Sequence, residues 1–277
     1  MFKILVDSGC DLTEDMKKKE SMDVERVPLS LLLGNETYLD DENLDVYEYM
    51  DKMAAYPDTP KTAAPSPEQY LNRLKDSTNT FIVTLSSKLS GSYNSAMLAK
   101  EIYLEEIGDK FIHIFDSLSA SVGQTLVAMK INECSNVCLS NNEIIESVNS
   151  FIEGMRTYFI LDNYDNLVKN GRMNAYVAKL VSFLNIKAIC AGIDGKIQIV
   201  DKARGYNKAI TKLMDRMKDD VSLETRILGI AHSGCLDKAI ALKEEITRCM
   251  KFKDIFIVET GGLCSTYSDR GGIILAY

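Results

Sequence analysis

The stretch Phe81-Ile82-Val83-Thr84-Leu85-Ser86-Ser87-Lys88-Leu89-Ser90-Gly91-Ser92 decides the fold class of this chain. Its first five residues are apolar or β-branched, which predicts a buried strand over Phe81–Leu85. The serines and the lysine that follow predict a loop, and a helix is predicted from about Tyr93 to Glu105. Ser90-Gly91 would then stand at the start of that helix, where free backbone N–H groups and the helix dipole attract an anion.

The same alternation of strand and helix continues on both sides of this stretch. Lys3–Asp7 and Phe111–Asp116 are short apolar runs that predict strands, and helical patterns cover Thr13–Lys19, Val122–Cys138 and Asn141–Met155. Strands that alternate with helices predict a parallel sheet with helices packed over it. We therefore expect an α/β fold for the first half of the chain.

Small polar residues end three of the predicted strands. They are Asp7-Ser8, Ser86-Ser87 and Asp116-Ser117. Ser and Asp are also favoured helix N-caps, and for any one pair alone the cap is the favoured interpretation. In parallel α/β sheets, however, ligands bind at the carboxyl ends of the strands. The three pairs together therefore favour a polar pocket at this edge of the sheet.

Between the first and second apolar strands lies a segment rich in turn signals. Val24–Leu33 predicts a single strand, Gly34-Asn35 a turn into Glu36–Leu39, and Asp45–Tyr56 a helix. Four of the five prolines then fall within Pro57–Pro67. Because proline fixes φ and forces the preceding residue to be extended, this segment is predicted to be a stiff surface loop.

The second half predicts a mixed sheet. Ile186–Ala191 and Lys196–Asp201 flank Gly192-Ile193-Asp194-Gly195, which is typical of a hairpin. Further strands are predicted at Tyr158–Leu161, Ile227–Ala231, Ile255–Glu259 and Ile273–Ala276, and helices at Gly205–Lys218 and Asp237–Met250. We expect two domains: an N-terminal α/β domain over residues 1–157, with the Pro-rich loop at 57–67, and a C-terminal α+β domain over residues 158–277.

Composition excludes several broad classes of function. In 277 residues, 32 Lys and Arg stand against 40 Asp and Glu, which gives a formal net charge of −8. This balance opposes a nucleic-acid-binding role, which requires a basic face. The apolar runs are too short to span a bilayer, and the first residues lack the pattern of a secretory signal, so we expect a cytoplasmic protein. The seven cysteines include no C-x-x-C spacing, and we expect all seven to be buried, reduced thiols.

Sequence motifs of several enzyme classes are absent. The chain has no P-loop, no dinucleotide-binding glycine motif and no Gly-x-Ser-x-Gly nucleophile motif. Of its two histidines, His113 is predicted to lie in the core and His232 at the end of a strand. With two histidines and no clustered carboxylates, we predict no metal and no cofactor. A Ser–His–Asp triad stays open by counting alone, although no motif supports one.

A series of motifs, collinear over nearly the whole chain, resembles the DegV family. The series is Asp7-Ser8-Gly9-Cys10-Asp11-Leu12, Val27-Pro28-Leu29-Ser30, Tyr38-Leu39-Asp40, Lys61-Thr62-Ala63-Ala64-Pro65-Ser66-Pro67, Leu85-Ser86-Ser87-Lys88-Leu89-Ser90-Gly91-Ser92-Tyr93-Asn94-Ser95-Ala96, Asp116-Ser117 and Leu167-Val168-Lys169-Asn170-Gly171-Arg172. The fifth of these stretches is the most diagnostic. Any one match is weak, and their common order makes the resemblance specific.

The resemblance implies two α/β-type domains with a long-chain fatty acid buried between them. The implied role is that of a lipid carrier in bacterial phospholipid metabolism, with no catalytic residues of its own. The family's contacts with the carboxylate correspond to Thr62, Ser90 and Gly91 in this chain. The full set predicted to bind the ligand is Thr62, Ser90, Gly91, Ser92, Arg172, Tyr267 and Ser8.

Some members of the family present the fatty acid to a separate kinase that phosphorylates the carboxylate. In those proteins, an arginine that matches Arg172 and a C-terminal histidine lie by the carboxylate. Here Tyr267 stands where the histidine would be, and Ala63-Ala64 replaces Ser-Gln in the Pro-rich loop. Tyrosine is a poor acid or base near neutral pH, so these departures bear on a kinase partner rather than on fatty-acid binding. The expected partners are a long-chain fatty acid and, as a second partner left open, a fatty-acid kinase. Peripheral contact with a membrane also stays open, and no nucleic acid is expected.

Two alternatives remain open from the sequence. The first is an enzyme, a hydrolase or phosphotransferase acting on a small acidic or acyl substrate, with Ser90 or His232 as nucleophile or base. No base is linked to a nucleophile by any motif, which weighs against it. The second is a carrier of the same design that binds another amphiphile, as the changes at Tyr267 and Ala63 would allow.

Overall fold

The computed structural model describes residues 2–75, 79–174, 186–220 and 222–277. The strands in chain order are β1 Phe2–Asp7, β2 Val24–Val27, β3 Ser30–Leu33, β4 Glu36–Leu39, β5 Lys61–Ala63, β6 Asn79–Thr84, β7 Phe111–Asp116, β8 Thr157–Ile160, β9 Ile186–Ile193, β10 Lys196–Arg204, β11 Ile227–His232, β12 Asp254–Glu259 and β13 Ile273–Ala276. The helices are α1 Glu14–Lys19, α2 Val46–Ala55, α3 Pro67–Leu74, α4 Ser92–Glu106, α5 Val122–Asn136, α6 Asn141–Gly154, α7 Asp165–Lys169, α8 Tyr206–Lys218, α9 Leu236–Cys249 and α10 Gly262–Ser268, with a 3-10 helix at Leu223–Thr225.

The parallel sheet predicted for the N-terminal half is confirmed, with the strand order β2-β1-β6-β7. Successive residues of β1 point to opposite faces of the sheet, and both faces are buried. Ile4 and Val6 pack with α5 and α6, whereas Leu5 packs with α3 and α4. A sheet covered on both faces requires continuously apolar strands, which is why the run Phe81–Leu85 predicts this architecture.

The prediction of one strand over Val24–Leu33 is wrong. The segment divides at Pro28 into β2, which belongs to the parallel sheet, and β3, which pairs with β4 and β5 in an antiparallel sheet. Pro28 has no N–H to donate to a strand ladder. The next amide, that of Leu29, donates to Ser8 Oγ at 3.0 Å. The chain therefore leaves one sheet and enters another at this point.

The Pro-rich loop contains a strand that the sequence analysis did not predict. Lys61–Ala63 (β5) pairs with β3, and Thr62 lies opposite Leu31. Three residues are too few to carry a periodicity of their own, so the strand is defined only by its partner. Immediately after it, Ser66 and Gln69 form a capping box that starts α3. The loop is thus held at both ends, and Thr62 has a fixed position.

The mixed sheet predicted for the C-terminal half is confirmed, with the strand order β10-β9-β8-β13-β11-β12. Strands β11 and β12 are parallel, and the other neighbouring pairs are antiparallel. The predicted hairpin is β9–β10. Its turn residues Asp194 and Gly195 have φ values of +50° and +75°, as a type I′ turn requires. Helices α8 and α9 cover one face of the sheet.

Helix α5 joins the two halves of the molecule. Its residues Val127 and Ile131 pack on the parallel sheet, and its residues Val122 and Leu126 pack against the mixed sheet. The mixed sheet begins with β8, whose first residue is Thr157. The division of the chain between residues 157 and 158 stays a prediction.

The prediction that all seven cysteines are buried is wrong, although all are free thiols. Cys10, Cys134, Cys190 and Cys264 are buried, Cys235 is half-buried, and Cys138 and Cys249 are exposed. The exposed pair lies just beyond α5 and at the last residue of α9, where the helices leave their packing partners. Within the described ranges, no helix has the length and apolar character needed to cross a membrane.

Candidate functional site

A cavity of about 150 Å³ lies between the carboxyl edge of the parallel sheet and the face of the mixed sheet that is opposite α8 and α9. Its wall is mostly apolar. Leu29 and Leu85 come from the N-terminal half, and Phe159, Leu167 and Ile274 come from the C-terminal half. The predicted residues Thr62, Ser90, Gly91, Arg172 and Tyr267 also line it. The structure therefore brings together five of the seven residues that were predicted to bind the ligand.

Thr62 and Tyr267 form a hydrogen bond across the two halves of the molecule. The hydroxyl oxygens Thr62 Oγ1 and Tyr267 Oη are 2.7 Å apart. Thr62 is held by β5, whereas Tyr267 belongs to α10, which is 205 residues away in the chain. Either hydroxyl can donate, so the pair can turn one or both protons towards a carboxylate placed beside it.

Arg172 lies next to this pair because α7 ends in a Schellman motif. Gly171 has a φ of +74°, its amide donates to Val168 O, and the amide of Arg172 donates to Leu167 O at 2.8 Å. Turned back in this way, the guanidinium donates from Nε to Leu89 O at 3.2 Å. It also lies over the ring of Tyr267, 5.8 Å from its centroid. The cation is therefore aligned by contacts with both halves of the molecule.

Ser90 and Gly91 stand at the start of α4, as the sequence predicts. Gly91 is the N-cap residue, so the helix has no side-chain cap. The amide of Ser92 donates to Ser90 Oγ at 3.2 Å, while the Ser90 hydroxyl proton is left to turn towards the cavity. A 15-residue helix beginning here adds the positive end of its dipole to the hydroxyls and the guanidinium.

Ser8 and Ser92 were predicted to contact the ligand, and the structure places neither among the residues that line the cavity. Ser92 is fully buried and donates from Oγ to Asp7 Oδ2 at 2.5 Å. Ser8 accepts from the amide of Leu29. Asp7 also accepts from the amide of Leu85 at 2.7 Å. These side chains therefore hold the strand ends in place behind the cavity.

Two buried carboxylates of the N-terminal half cap α10, and the sequence analysis missed them. Gly262 and Leu263 donate their amides to Asp40 at 2.8 and 2.9 Å, and Gly261 donates to Asp11 at 2.7 Å. Desolvation raises the pKa of both carboxyls, that of Asp11 to about 6. Both lie in motifs quoted above, but no local signal reveals their role, because the helix that they cap lies more than two hundred residues away in the chain.

The described residues that line the cavity include no carboxylate and no imidazole, since none of them is Asp, Glu or His. Cys264 lines the wall, but burial raises the pKa of its thiol well above the usual value, so the nucleophilic thiolate is disfavoured. His232 lies at the end of β11, where its Nδ1 accepts from the amide of Cys235. The described lining therefore combines a mostly apolar wall with hydroxyl groups and two cationic side chains, Arg172 and Lys196.

Comparisons with known proteins agree with the predicted resemblance. The family model described as "Uncharacterised protein, DegV family" matches residues 1–277. A DegV domain-containing protein of Streptococcus pneumoniae is 35% identical over 279 residues, which cover 100% of this chain and 98% of that protein. A DegV family protein from Ruminococcus gnavus, in a structure with vaccenic acid, is 39% identical, with a TM-score of 0.93 and coverage of 100% and 99% of the two chains. The Fatty Acid Kinase (Fak) B3 protein of Streptococcus pneumoniae, loaded with linoleic acid, is 33% identical, with a TM-score of 0.91 and the same coverage.

The cap on α10 predicts a large effect of Asp40 on stability. Asp40→Ala leaves the amides of Gly262 and Leu263 without their acceptor inside the protein. We expect the free energy of unfolding, measured by urea denaturation, to fall by about 2–4 kcal/mol, because two buried amides are left without a hydrogen-bond acceptor. Glu42→Ala, at an exposed neighbouring position, serves as the control and should stay within about 0.5 kcal/mol of the parent protein. Equal stability of the two variants would show that the carboxylate does not hold α10.

Asp11 predicts a change of stability with pH. Its pKa is raised from 3.8 to about 6 in the folded protein, so between these values the folded state keeps a proton that the unfolded chain has lost. This group therefore makes the free energy of unfolding fall as the pH rises through that window. Asp11→Asn removes the titration, and its amide can still accept from Gly261 and donate to Ser121. From about pH 4 to about pH 7, we expect the stability of the variant relative to the parent to rise by roughly 2 kcal/mol. A stability difference that does not vary with pH in urea titrations would contradict this prediction.

Proposed function

Because this chain belongs to the DegV family, we propose that it binds a long-chain fatty acid and acts as a carrier for it. The carboxylate would lie at Thr62, Ser90, Gly91, Arg172 and Tyr267, and the tail would enter the apolar part of the cavity. The observation that carries the proposal is the single cavity that joins these polar groups to a mostly apolar wall. Both halves of an amphiphile thus find a matching surface.

The polar groups suit a carboxylate for a chemical reason. A carboxylate accepts several hydrogen bonds and gains most from donors that are held in place before it binds. Thr62 is fixed on β5, Tyr267 on α10, and the amides at the start of α4 point the same way as the helix dipole. Arg172 adds a positive charge. The head group would therefore set the orientation of the ligand in the cavity.

The tail would supply most of the affinity. Each methylene that leaves water for an apolar wall contributes about 0.8 kcal/mol. Leu29, Leu85, Phe159, Leu167 and Ile274 provide such a wall. A carrier needs this division of roles, because binding through the tail holds acids of different lengths while the head group stays at one place.

The absence of Asp, Glu and His from the described lining residues supports a carrier rather than an enzyme. Ser90 would need a base within hydrogen-bonding distance to act as a nucleophile. Its hydroxyl oxygen accepts a hydrogen bond from the backbone amide of Ser92 instead. We therefore assign any chemistry on the carboxylate to a separate protein in the cytoplasm, and a fatty-acid kinase is the proposed partner because a similar protein carries that name.

Tyr267 would fix the orientation in which the bound carboxylate is presented to the proposed kinase. Its hydroxyl holds Thr62 and its ring lies under Arg172, so it orders both groups that would contact the carboxylate. In the proposed complex the carrier therefore orients the carboxylate, and the kinase supplies the acid and base chemistry.

The proposal is tested first by the lipid that the purified protein carries. Denaturing extraction followed by mass spectrometry should release a long-chain fatty acid in about one equivalent per chain, since a tail of ten or more methylenes binds tightly at about 0.8 kcal/mol each. A different amphiphile in that amount would redirect the proposal to another ligand. An empty protein that also fails to bind added oleate would overturn it.

The head-group site is tested by two substitutions. Thr62→Ala and Ser90→Ala should each weaken binding of oleate by roughly 1.5–3 kcal/mol, because each removes a hydrogen bond to a charged group. Titration calorimetry on delipidated protein measures the loss, and the unfolding temperature should stay close to that of the parent. Thr37→Ala, at an exposed position on β4, is the matched control with no expected loss. Parent-like affinity in both site variants would place the carboxylate elsewhere.

A further inference from the structure

The groups proposed to hold the carboxylate come from four separate segments of the chain. Thr62 lies on β5 and Tyr267 on α10. Ser90 and Gly91 stand at the start of α4, and Arg172 follows α7. A carboxylate gains from several donors at once only when those donors stand at fixed distances from one another. The site therefore depends on contacts that keep these segments in register.

Helix α7 is too short to set its own position. It spans five residues, and no side chain caps its first turn. Because helices of this length are unstable by themselves, tertiary contacts determine where α7 and the following Arg172 lie. Leu167 packs in a core cluster with Phe159. Two half-buried asparagines, Asn166 and Asn170, add polar contacts. They are four residues apart and lie on the same side of the helix.

Asn170 joins α7 to the segment that carries Thr62. Its Nδ2 donates to Pro60 O at 3.0 Å and to Asn166 O at 2.8 Å. Both acceptors are carbonyl oxygens, so the amide nitrogen must face them, and both of its hydrogens are used. Pro60 is buried and directly precedes β5. This side chain therefore ties a helix of the C-terminal half to the N-terminal half, next to the strand that fixes Thr62.

Asn166 joins the same helix to α10. Its Nδ2 donates at 2.8 Å to the backbone carbonyl of Thr266, the residue before Tyr267. The backbone carbonyl of Asn170 accepts from Arg172 Nη1 at 2.5 Å. The two asparagines thus contact the guanidinium itself and the backbone beside both of the hydroxyl groups that meet across the cavity.

We infer from these contacts that Asn166 and Asn170 are positioning residues for the carboxylate, because together they keep Arg172, Thr62 and Tyr267 in register. The inference rests on the proposed function and identifies residues on which its head-group site depends. Neither asparagine lines the cavity, so both act through the other three groups and not by contact with the ligand. Without either amide those groups meet the carboxylate at poorer distances, whereas the apolar wall that receives the tail is unchanged.

Two ligands with the same tail separate an effect on the head group from an effect on the tail. Dissociation constants for oleate and for methyl oleate, which carries no charge, are measured on the delipidated parent protein and on Asn166→Ala and Asn170→Ala. Each variant should bind oleate about three- to tenfold more weakly, as the loss of roughly one hydrogen bond would do, and methyl oleate about as tightly as the parent does. Asn149→Ala, at an exposed position on α6 outside the cavity lining, is the matched control and should keep both affinities.

Double-mutant cycles test whether the asparagines act through the groups that they contact. Asn170→Ala is repeated in an Arg172→Ala background, and Asn166→Ala in a Tyr267→Phe background. Each asparagine substitution should weaken oleate binding less in the background that already lacks the group it positions. Fully additive losses in both cycles would overturn the inference.

The carboxyl group of bound oleate gives a second readout in the folded variants. In oleate labelled with ¹³C at the carboxyl carbon, the pH at which the bound group titrates depends on the cation beside it, since Arg172 favours the charged form. Asn170→Ala should raise that pH, and Asn149→Ala should not. An unchanged titration together with parent-like affinities for both ligands would overturn the positioning role and leave the proposed function intact. Failure of the parent protein to bind oleate would remove the proposed function itself.

Discussion

Three hydrogen bonds from the first amides of α10 to two carboxylates of the N-terminal half hold the functional part of this molecule together. Asp40 accepts two of them and Asp11 the third. Helix α10 has seven residues and no cap from its own segment, so its amides depend on these acceptors. Both carboxyls are buried, which disfavours their charged forms. The positive end of the helix offsets part of that cost. The position of α10 in turn determines where Tyr267 meets Thr62.

The strand ends of the parallel sheet show how a polar edge can border an apolar cavity. Asp7 accepts from the amide of Leu85, and Asp116 accepts from the amide of Ser87. The carboxylate at the end of one strand therefore binds the loop that follows its neighbour. These carboxylates and amides pair with one another behind the cavity. Leu85 and Leu118, which follow two of the strands, form part of its wall. The crowding of Ser and Asp at this edge thus indicates the position of the site rather than the chemistry of its lining.

The sequence predicts the elements whose signals are local. The apolar run Phe81–Leu85 and the hairpin at Asp194-Gly195 carry their structure in a few neighbouring residues, and both halves of the fold follow from such runs. The strand at Lys61–Ala63 and the break at Pro28 are different, because they depend on distant partners. The strand exists through its pairing with β3, and the break is fixed by the hydrogen bond from the amide of Leu29 to Ser8. For the site, the family motifs locate Thr62, Ser90 and Arg172. They do not distinguish these residues from Ser92, which donates its hydroxyl to Asp7. Nor do they indicate that Asp40 caps a distant helix.

The position of β13 in the mixed sheet has a consequence for biosynthesis. It lies between β8 and β11, although it is the last strand of that sheet to be made. The strands of the parallel sheet and the helices that cover them, up to α6, are all synthesised before β8, so this half of the chain can fold while the ribosome is still adding residues. The C-terminal unit must wait with the inner edges of β8 and β11 unpaired, and such edges invite aggregation. Synthesis therefore passes through a stage in which one half of the chain can fold while the other still lacks the strand that completes its sheet, and the wall of the cavity lacks Ile274 until that stage ends.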